Sequence, residues 1–281
     1  MTQTTVALLH PGDMGSAVGA DLVAVGVRVL WASEARSAAT RARALADGLE
    51  DRLTLPTCLD ASSVVLSICP PHAAVDLARE VAGHAFRGLY IDANAISPDA
   101  AREAAALIER AGGHFVDGGI VGPPPRVAGK TRLFLSGAAA AQAAALFGGT
   151  RIEAIALPGE IGAASGLKAC YAAWTKGSIA LLSAIRALAR HEGVEDALLT
   201  EWARSQPDLA QRSATVTMQA RKAWRWVGEM HEIAASFEGA GLPGGFHRAA
   251  GEIYEELELF KDASTPPSLD QVLDALAKNR H

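Results

Sequence analysis

The chain has 281 residues, 49% of them hydrophobic, which is long enough for two domains with sizeable cores. Its 26 basic and 31 acidic residues nearly balance, and they form no basic block that would bind nucleic acid. Three widely spaced cysteines predict neither a disulfide framework nor a metal site.

The N-terminal half alternates short β-branched runs with alanine-rich helical stretches. Residues 1–5 are polar and lack the pattern of a signal peptide, which together with the mild acidity predicts a cytoplasmic protein. Strands are predicted at residues 6–9, 27–31, 63–68, 89–92, 114–117, 132–136 and 152–157. Helices are predicted at residues 14–25, 36–47, 73–82, 98–111 and from 138 onward. This order predicts an α/β fold, a doubly wound parallel Rossmann-like sheet, over residues 1–158.

The strand pattern stops after Pro158, and an all-helical domain is predicted over residues 159–281. Its helices are expected at residues 162–191, 195–204, 209–235, 245–260 and 268–278. The first of these is apolar but contains Lys168, Lys176 and Arg186, which predicts a buried helix and no membrane partner. Because its apolar residues occupy nearly every face, we expect a homodimer formed through the helical domain.

A glycine-containing turn, His10 to Gly15, lies between the first predicted strand and the first predicted helix. A dinucleotide site needs glycine here, because the backbone must approach a pyrophosphate at a helix N-terminus. Gly12 and Gly15 match the second and third glycines of that motif, but the first position is His10. An ordinary tight turn is the alternative; the position in the chain favours cofactor binding by Gly12, Asp13, Met14 and Gly15.

Two further segments end predicted strands of the same sheet. Cys69, Pro70 and Pro71 follow one strand, and Asn94 follows the next. Ligands of open α/β sheets bind at the carboxyl ends of strands, so these residues are also candidates for cofactor binding. Asn94 either donates to a nicotinamide ribose or serves as a turn residue.

The end of the second predicted strand bears on which nucleotide is bound. NAD sites usually place an acidic residue there, but this strand ends at Trp31 without one. Ser33 and Arg36 follow it, and a hydroxyl and a guanidinium suit a 2′-phosphate. Glu34 lies between them and would repel a phosphate if it pointed inward. The sequence therefore favours NADP(H) over NAD(H).

Four segments of the chain resemble the β-hydroxyacid dehydrogenase and 6-phosphogluconate dehydrogenase superfamily. They are Pro11–Gly15, Ile91–Pro98, Phe115–Gly122 and Gly159–Lys168. The resemblance implies a Rossmann-like domain, a long interdomain helix, an all-helical C-terminal domain and an intimate dimer. The segment Ala223–Met230 is similar to a subgroup of that superfamily with a divergent C-terminal domain.

Lys168 lies near the start of the long apolar helix. Burying a lysine there is costly unless it has partners or a function, although its ammonium could also extend to solvent at the helix end. The resemblance implies that Lys168 is the catalytic residue, which donates a proton to the carbonyl oxygen during reduction. An ammonium at this place would also stabilise the alkoxide character that hydride transfer creates.

The chain departs from the superfamily pattern at two candidate substrate-binding segments. The family loop has Ser-Gly-Gly where this chain has Val121, Gly122 and Pro123. The family also has Asn one turn after the lysine, where this chain has Ala172, preceded by Tyr171. The serine hydroxyl is absent and prolines donate no backbone N–H, so we expect a substrate other than an ordinary small β-hydroxyacid.

These patterns together predict an NADP(H)-dependent oxidoreductase that transfers hydride between nicotinamide and a small carbonyl or hydroxy compound. Two alternatives stay open at this point. One is an imine reductase, which the superfamily resemblance includes and which the altered substrate segments favour. The other is a dinucleotide-binding protein without catalytic activity, against which the presence of Lys168 argues.

Overall fold

The computed structural model describes residues 4–261 and 263–278. It divides into two compact units, Met1–Ala169 and Cys170–His281. The division between the units lies inside the long helix, further along the chain than the predicted domain boundary at residue 158. That predicted boundary stays a prediction. The units are described separately below.

The described residues of the first unit form one eight-stranded sheet in the order β3-β2-β1-β4-β5-β6-β7-β8. Its strands are β1 (Thr5–Leu8), β2 (Arg28–Trp31), β3 (Glu50–Asp51), β4 (Val64–Ser67), β5 (Leu89–Asp92), β6 (His114–Val121), β7 (Thr131–Ser136) and β8 (Ile152–Ala156). The Rossmann-like α/β fold predicted from the sequence is confirmed. The short strand β3 had no counterpart among the predicted strands.

Helices cover both faces of this sheet. They are α1 (Asp13–Ala24), α2 (Ala38–Ala46), α3 (Leu55–Asp60), α4 (Ala74–Gly83), α5 (Pro98–Arg110) and α6 (Ala140–Ala145). Side chains alternate along each strand, so Val6 and Leu8 join the core on one face while Ala7 joins the core on the other. Buried runs such as Val64–Ser67 follow from this two-sided coverage.

One pair of strands corrects the expectation of a purely parallel sheet. β6 and β7 are antiparallel, with Val121 opposite Arg132. A loop of residues 122–130 joins them, which is too short for the crossover that a parallel pair requires. β6 also continues four residues past Asp117, the residue that pairs with the last residue of β5. The segment from Gly118 to Val121 therefore extends beyond the carboxyl edge of β5.

The second unit contains most of α7 (Ala163–His191) and the helices that follow it. These are α8 (Glu195–Ser205), α9 (Asp208–Ala214), α10 (Val216–Gln219), α11 (Trp224–Gly239), α12 (Gly245–Glu255) and α13 (Leu269–Lys278). The helical domain and the long helix predicted at residues 162–191 are confirmed. Within residues 4–261 and 263–278, none of the helices has the length and apolar character needed to cross a membrane.

The prediction of a single helix at residues 209–235 is wrong, because the helix is interrupted between α9 and α11. Hydroxyl groups explain the break. Ser213, Thr215 and Thr217 each donate to the backbone carbonyl three residues earlier, at distances of 2.7 to 2.9 Å. Such bonds compete with the regular helical ladder and favour irregular turns. The helix predicted at residues 245–260 likewise ends earlier, at Glu255, and a 3₁₀ turn follows.

The start of α7 is bound to the sheet through Asp117, a buried residue of β6. One carboxylate oxygen accepts the backbone N–H groups of Gly162 and Ser165 at 2.9 and 3.0 Å, and the hydroxyl of Ser136 at 3.0 Å. The other accepts the hydroxyl of Ser165 at 2.5 Å. The carboxylate thus satisfies N–H groups at the helix start that have no partner within the helix.

The first turns of α7 also lie very close to the backbone of β6. A Cβ atom at Gly119 would lie 2.9 Å from the carbonyl oxygen of Ala164 and 2.9 Å from the Cβ atom of Lys168. Real Cβ atoms do not come this close to their neighbours, so glycine is what permits this approach. Gly119 in the middle of β6 therefore sets the distance between Lys168 and the sheet.

Replacing Gly119 with alanine should therefore destabilise the first unit. We expect the Gly119→Ala variant to lose about 1–3 kcal/mol of unfolding free energy, since the added methyl group must push α7 away from β6. Chemical denaturation measures this loss. Gly83→Ala is the matched control, because a Cβ atom at Gly83 meets no atom within 4 Å in the described structure. Equal stability of the two variants would contradict the close packing described here.

Candidate active site

The turn between β1 and α1 has the geometry of a close backbone approach. A Cβ atom at Gly15 would lie 2.3 Å from the carbonyl oxygen of His10, so the residue that packs α1 onto β1 must be glycine. Gly12 is the N-cap residue of α1, and a Cβ there would contact only the ring of His10, at 3.4 Å or more. Gly12 has no side chain with which to cap this helix N-terminus. Its first N–H groups therefore suit an anion.

Two arginines from the adjacent segment lie against this turn. Arg36 donates to Nδ1 of His10 at 3.0 Å and to the carbonyl oxygen of Leu9 at 3.4 Å. Arg43 donates to the carbonyl oxygen of Pro11 at 3.2 Å. Both guanidinium groups thus add positive charge next to the N-terminus of α1. Ser33 is buried in the same segment and Glu34 is exposed.

The ends of β4 and β5 are joined by a buried hydrogen-bond network centred on Asn94. Its Oδ1 accepts the backbone N–H of Cys69 at 2.5 Å. Its Nδ2 donates to the hydroxyl of Ser67 at 3.0 Å and to the carboxylate of Asp92 at 2.9 Å. Both amide hydrogens of Asn94 are engaged in this way, so in this structure Asn94 fixes the loop of Cys69, Pro70 and Pro71. Donation from Asn94 to a ribose stays a prediction.

Burial strongly raises the pKa values of two titratable groups of this network. Burial raises the pKa of Asp92 to about 7; the hydrogen bonds from Asn94 oppose this change, and the charge of Asp117 adds to it. Burial, together with the charge of Asp92, raises the pKa of the Cys69 thiol to about 12. Cys69 is therefore protonated near neutral pH and is poorly suited to act as a nucleophile.

The predicted substrate segment lies at the far end of β6. Val121 is buried within the sheet, while Gly122 and Pro123 are exposed. Gly122 has a φ of 119°, and a Cβ there would lie 2.2 Å from the carbonyl oxygen of Lys130, so this turn requires glycine. The carbonyl oxygen of Pro123 accepts the hydroxyl of Thr131 at 2.6 Å.

Within the first unit, the structure brings most of the predicted site residues to the carboxyl ends of β1, β2, β4, β5 and β6. Lys168 is half-buried, and its Cβ lies against Gly119, beyond the carboxyl edge of β5. The other two candidates, Tyr171 and Ala172, belong to the second unit, where Tyr171 is 48% exposed and Ala172 is buried. Their part in substrate binding stays a prediction.

Sequence reasoning missed several polar residues that organise this edge. The main ones are Asp117 and Ser136, which bind the start of α7, and Arg43, which binds the glycine turn. An aspartate before two glycines in an otherwise apolar strand was a visible signal for Asp117. Nothing in the sequence distinguished Arg43 from the neighbouring arginines. Among the described residues, no cluster of three or more His, Cys, Asp or Glu side chains could hold a metal ion.

Comparison with protein-family models gives two matches. Residues 5–147 match the model described as the NAD binding domain of 6-phosphogluconate dehydrogenase. Residues 189–257 match a domain of unknown function, DUF1932, which lies within the second unit. Among curated proteins, a search finds none that matches the chain.

Solved structures share the fold over nearly the whole chain. A conserved protein of unknown function, described as structurally similar to 3-hydroxyacid dehydrogenases, is 28% identical with a TM-score of 0.69, covering 91% of this chain and 97% of its own. The 3-hydroxyisobutyrate dehydrogenase of Mycobacterium tuberculosis is 18% identical with a TM-score of 0.73, covering 98% and 99%. An imine reductase of Streptomyces aurantiacus is 18% identical with a TM-score of 0.57, covering 98% and 100%. At 18% identity, the last two likenesses concern the fold alone.

The raised pKa of Asp92 predicts a pH-dependent stability. The unfolded chain ionises this group near its ordinary value of 3.8, whereas the folded protein keeps it protonated up to about pH 7. The folded state therefore binds the extra proton between these values, and stability falls as the pH rises from about 4 to 7. The difference between the two pKa values of Asp92 corresponds to about 4 kcal/mol of unfolding free energy.

The Asp92→Asn variant should lack this contribution. Relative to the wild type, its unfolding free energy should fall less between pH 4 and pH 7, as measured by urea denaturation at each pH. Asp60→Asn, which changes an exposed carboxylate, serves as the control and should keep the wild-type slope. If Asp92→Asn and the wild type show parallel pH profiles, Asp92 is ionised in the folded protein.

Proposed function

The chain belongs to the family of the NAD binding domain of 6-phosphogluconate dehydrogenase, and on that basis we propose that it is an NADP(H)-dependent oxidoreductase acting on a small carbonyl or hydroxy compound. The catalytic part of this proposal rests on the location of Lys168. Asp117 and Gly119 hold the start of α7 close to β6, beyond the carboxyl edge of β5. Open α/β sheets bind their ligands at that edge.

The residues of the first unit fit a dinucleotide. The N-terminus of α1 and the open side of Gly12 would receive the pyrophosphate. Asp13 and Met14 begin the helix that follows, and Gly15 keeps α1 close to β1. The loop of Cys69, Pro70 and Pro71, fixed by Asn94, would line the cofactor on the next strand of the sheet.

The segment after β2 supports NADP(H) over NAD(H). Arg36 and Arg43 lie against the glycine turn, where a guanidinium can bind a 2′-phosphate through two N–H groups. Ser33 could add a hydroxyl. Glu34 is exposed, and its backbone N–H donates to the carbonyl oxygen of Leu53 at 2.8 Å. Its side chain can therefore remain in solvent while the arginines face a phosphate.

Lys168 supplies the proton chemistry in this proposal. When bound, the cofactor supplies or accepts a hydride. The Lys168 ammonium donates a hydrogen bond to the substrate oxygen, stabilises the negative charge that grows there, and transfers its proton to that oxygen during reduction. In the reverse direction the neutral amine accepts the hydroxyl proton. Val121, Gly122 and Pro123 would border the substrate, and the exposed backbone of Gly122 could contact it.

The turn at residues 121–125 also supports a second candidate, an imine reductase. Prolines at 123, 124 and 125 donate no N–H groups, and Val121 brings no hydroxyl, so this turn is poorly equipped to bind a carboxylate. An imine substrate need not carry a carboxylate, and without one it does not require such donors. In that reaction the proton from Lys168 would go to nitrogen instead of oxygen. A dinucleotide-binding protein without activity is the third possibility, and it would not need Lys168.

We further propose that the chain forms a homodimer through its helical unit. α7 exposes Leu181 and Leu188, and α12 exposes Phe246, at 45% to 60% of their surfaces. A largely apolar groove of about 480 Å³ lies beside them and includes Ile185 and Ile253 in its lining. Exposed apolar patches of this kind mark association surfaces in soluble proteins.

Sedimentation equilibrium tests the dimer. The wild type should sediment as a dimer at micromolar concentration. Leu188→Glu should weaken association at least about tenfold, because it places a charge in an apolar interface. Leu45→Glu changes a leucine that is 78% exposed in the first unit and should leave the dimer intact. A monomeric wild type would refute the proposal.

The activity is tested by a substrate screen that follows NADPH absorbance, with carbonyl compounds, hydroxy acids and cyclic imines assayed side by side. With the substrate found, Lys168→Ala should lower turnover by about two to four orders of magnitude, the usual contribution of a positioned acid or base. NADPH affinity and thermal stability should stay nearly unchanged. Lys168→Arg should not restore activity, because a guanidinium does not release a proton near neutral pH.

Lys222→Ala, which removes an exposed lysine of the second unit, is the control and should keep wild-type turnover. If Lys168→Ala retains turnover within a few-fold, Lys168 is structural. NADPH binding without turnover of any tested class would favour the non-catalytic alternative. Turnover of imines alone would establish the second candidate.

A further inference from the structure

His10 occupies the position at which dinucleotide turns usually carry their first glycine. The structure shows what the side chain does there. Its Nδ1 lies 3.0 Å from a terminal nitrogen of Arg36, and its ring carbon Cδ2 would be 3.4 Å from a Cβ at Gly12. The imidazole thus lies between the N-cap of α1 and the guanidinium of the segment that follows β2.

The chemistry of this contact fixes the state of the imidazole. A guanidinium can only donate hydrogen bonds, so Nδ1 of His10 must accept, and the ring proton must sit on Nε2. The group is therefore a neutral imidazole. Its surroundings agree, because burial and the positive charges of Arg36 and Arg43 all lower the pKa of His10.

Other contacts hold the side chain and the backbone of Arg36 in place. A second terminal nitrogen of Arg36 donates to the carbonyl oxygen of Leu9 at 3.4 Å, and Arg41 Nε donates to the backbone carbonyl of Arg36 at 3.3 Å. Ala35, just before it, has a φ of 56°, a conformation that residues other than glycine rarely adopt. Such strain persists where surrounding contacts over-determine the conformation. The side chain of Arg36 is thus held beside the turn by acceptors, while further N–H groups of its guanidinium can still bind a ligand.

We infer that His10 is a specificity-determining residue that positions Arg36 for the 2′-phosphate of NADP(H). This inference rests on the proposed function, since it assumes a dinucleotide at the glycine turn. A glycine at position 10 has no side-chain acceptor, and Arg36 would then keep only the longer hydrogen bond to the carbonyl oxygen of Leu9. Pre-organising the guanidinium reduces the entropy lost on binding, and this gain applies to the ligand that carries the 2′-phosphate and not to NADH.

The test is the ratio of the NADH and NADPH dissociation constants, measured by calorimetry on the purified protein without substrate. In His10→Ala, NADPH affinity should fall about tenfold, the effect of losing one hydrogen bond to a charged group. NADH affinity should change less than about threefold. His10→Asn places an amide oxygen close to the position of Nδ1, so it should restore most of the NADPH preference. His114→Ala, at the exposed start of β6, is the control histidine.

Arg36→Ala separates this inference from the proposed function. If the wild type binds both nucleotides equally and Arg36→Ala changes nothing, the assignment to NADP(H) fails and the role of His10 fails with it. If Arg36→Ala abolishes the preference but His10→Ala keeps it, the proposed function stands and His10 has only a structural role. In the expected case, both single variants weaken the preference and the double variant loses no more than Arg36→Ala alone, since His10 acts through Arg36.

A second measurement covers the case in which His10→Ala does not fold. Nitrogen NMR of histidine-labelled wild type should show a neutral imidazole with its proton on Nε2, assigned by the loss of its signals in His10→Asn. A charged imidazole, or a proton on Nδ1, would exclude acceptance from Arg36 and overturn the inference.

Discussion

The architecture of the candidate active site depends on one buried carboxylate, that of Asp117. It accepts backbone N–H groups from the start of α7 and hydroxyl groups from Ser165 and Ser136. A buried carboxylate is costly unless donors surround it, and the unpartnered N–H groups of a helix start are such donors. Each group therefore satisfies the other, and the start of α7, which includes Lys168, is fixed to β6.

The glycines of β6 permit this arrangement, because they have no side chains where the backbones approach closely. Gly119 faces α7, and a Cβ at Gly118 would lie 2.5 Å from the carbonyl oxygen of Asp92. Asp92 in turn accepts from Asn94, which holds the loop after β4. A chain of short contacts thus connects the start of α7 with the loops proposed to bind the cofactor. Replacing one residue of this chain of contacts should therefore change both the position of Lys168 and the binding of the nucleotide.

Charge is distributed unevenly along the same edge. The carboxyl groups of Asp92 and Asp117 are buried and hydrogen-bonded, whereas the glycine turn of α1 receives the positive charges of Arg36 and Arg43. The positive charge at the turn therefore suits an anion, and the region near Lys168 suits a group that exchanges a proton. This separation suits a reaction in which a phosphate-bearing cofactor and a proton donor act on one substrate from neighbouring places.

Local sequence patterns determined most of the fold. The alternation of β-branched runs and alanine-rich stretches predicted seven of the strands and the covering helices, because periodicity reports which faces are buried. Strand β3 and helix α3 were not predicted: β3 has only two residues, and α3 has six and lacks the alanine-rich composition that indicated α6. The break between α9 and α11 escaped for another reason: side-chain hydroxyls compete with the helix ladder, and a count of apolar positions does not register them.

The sequence by itself also singled out as candidates the glycine turn and the loops that end β4 and β5, because each is marked by neighbouring residues in the chain. Lys168 became a candidate through the family resemblance. Tertiary structure alone decided which distant side chains meet them. Asp117 and Ser165 are 48 residues apart, Arg43 and Pro11 are 32 apart, and Asn94 and Cys69 are 25 apart. Hydrogen bonds over such separations depend on strand order and crossover direction, which local propensity does not specify. The partners of His10 were therefore visible only once the sheet had placed β1 beside β2.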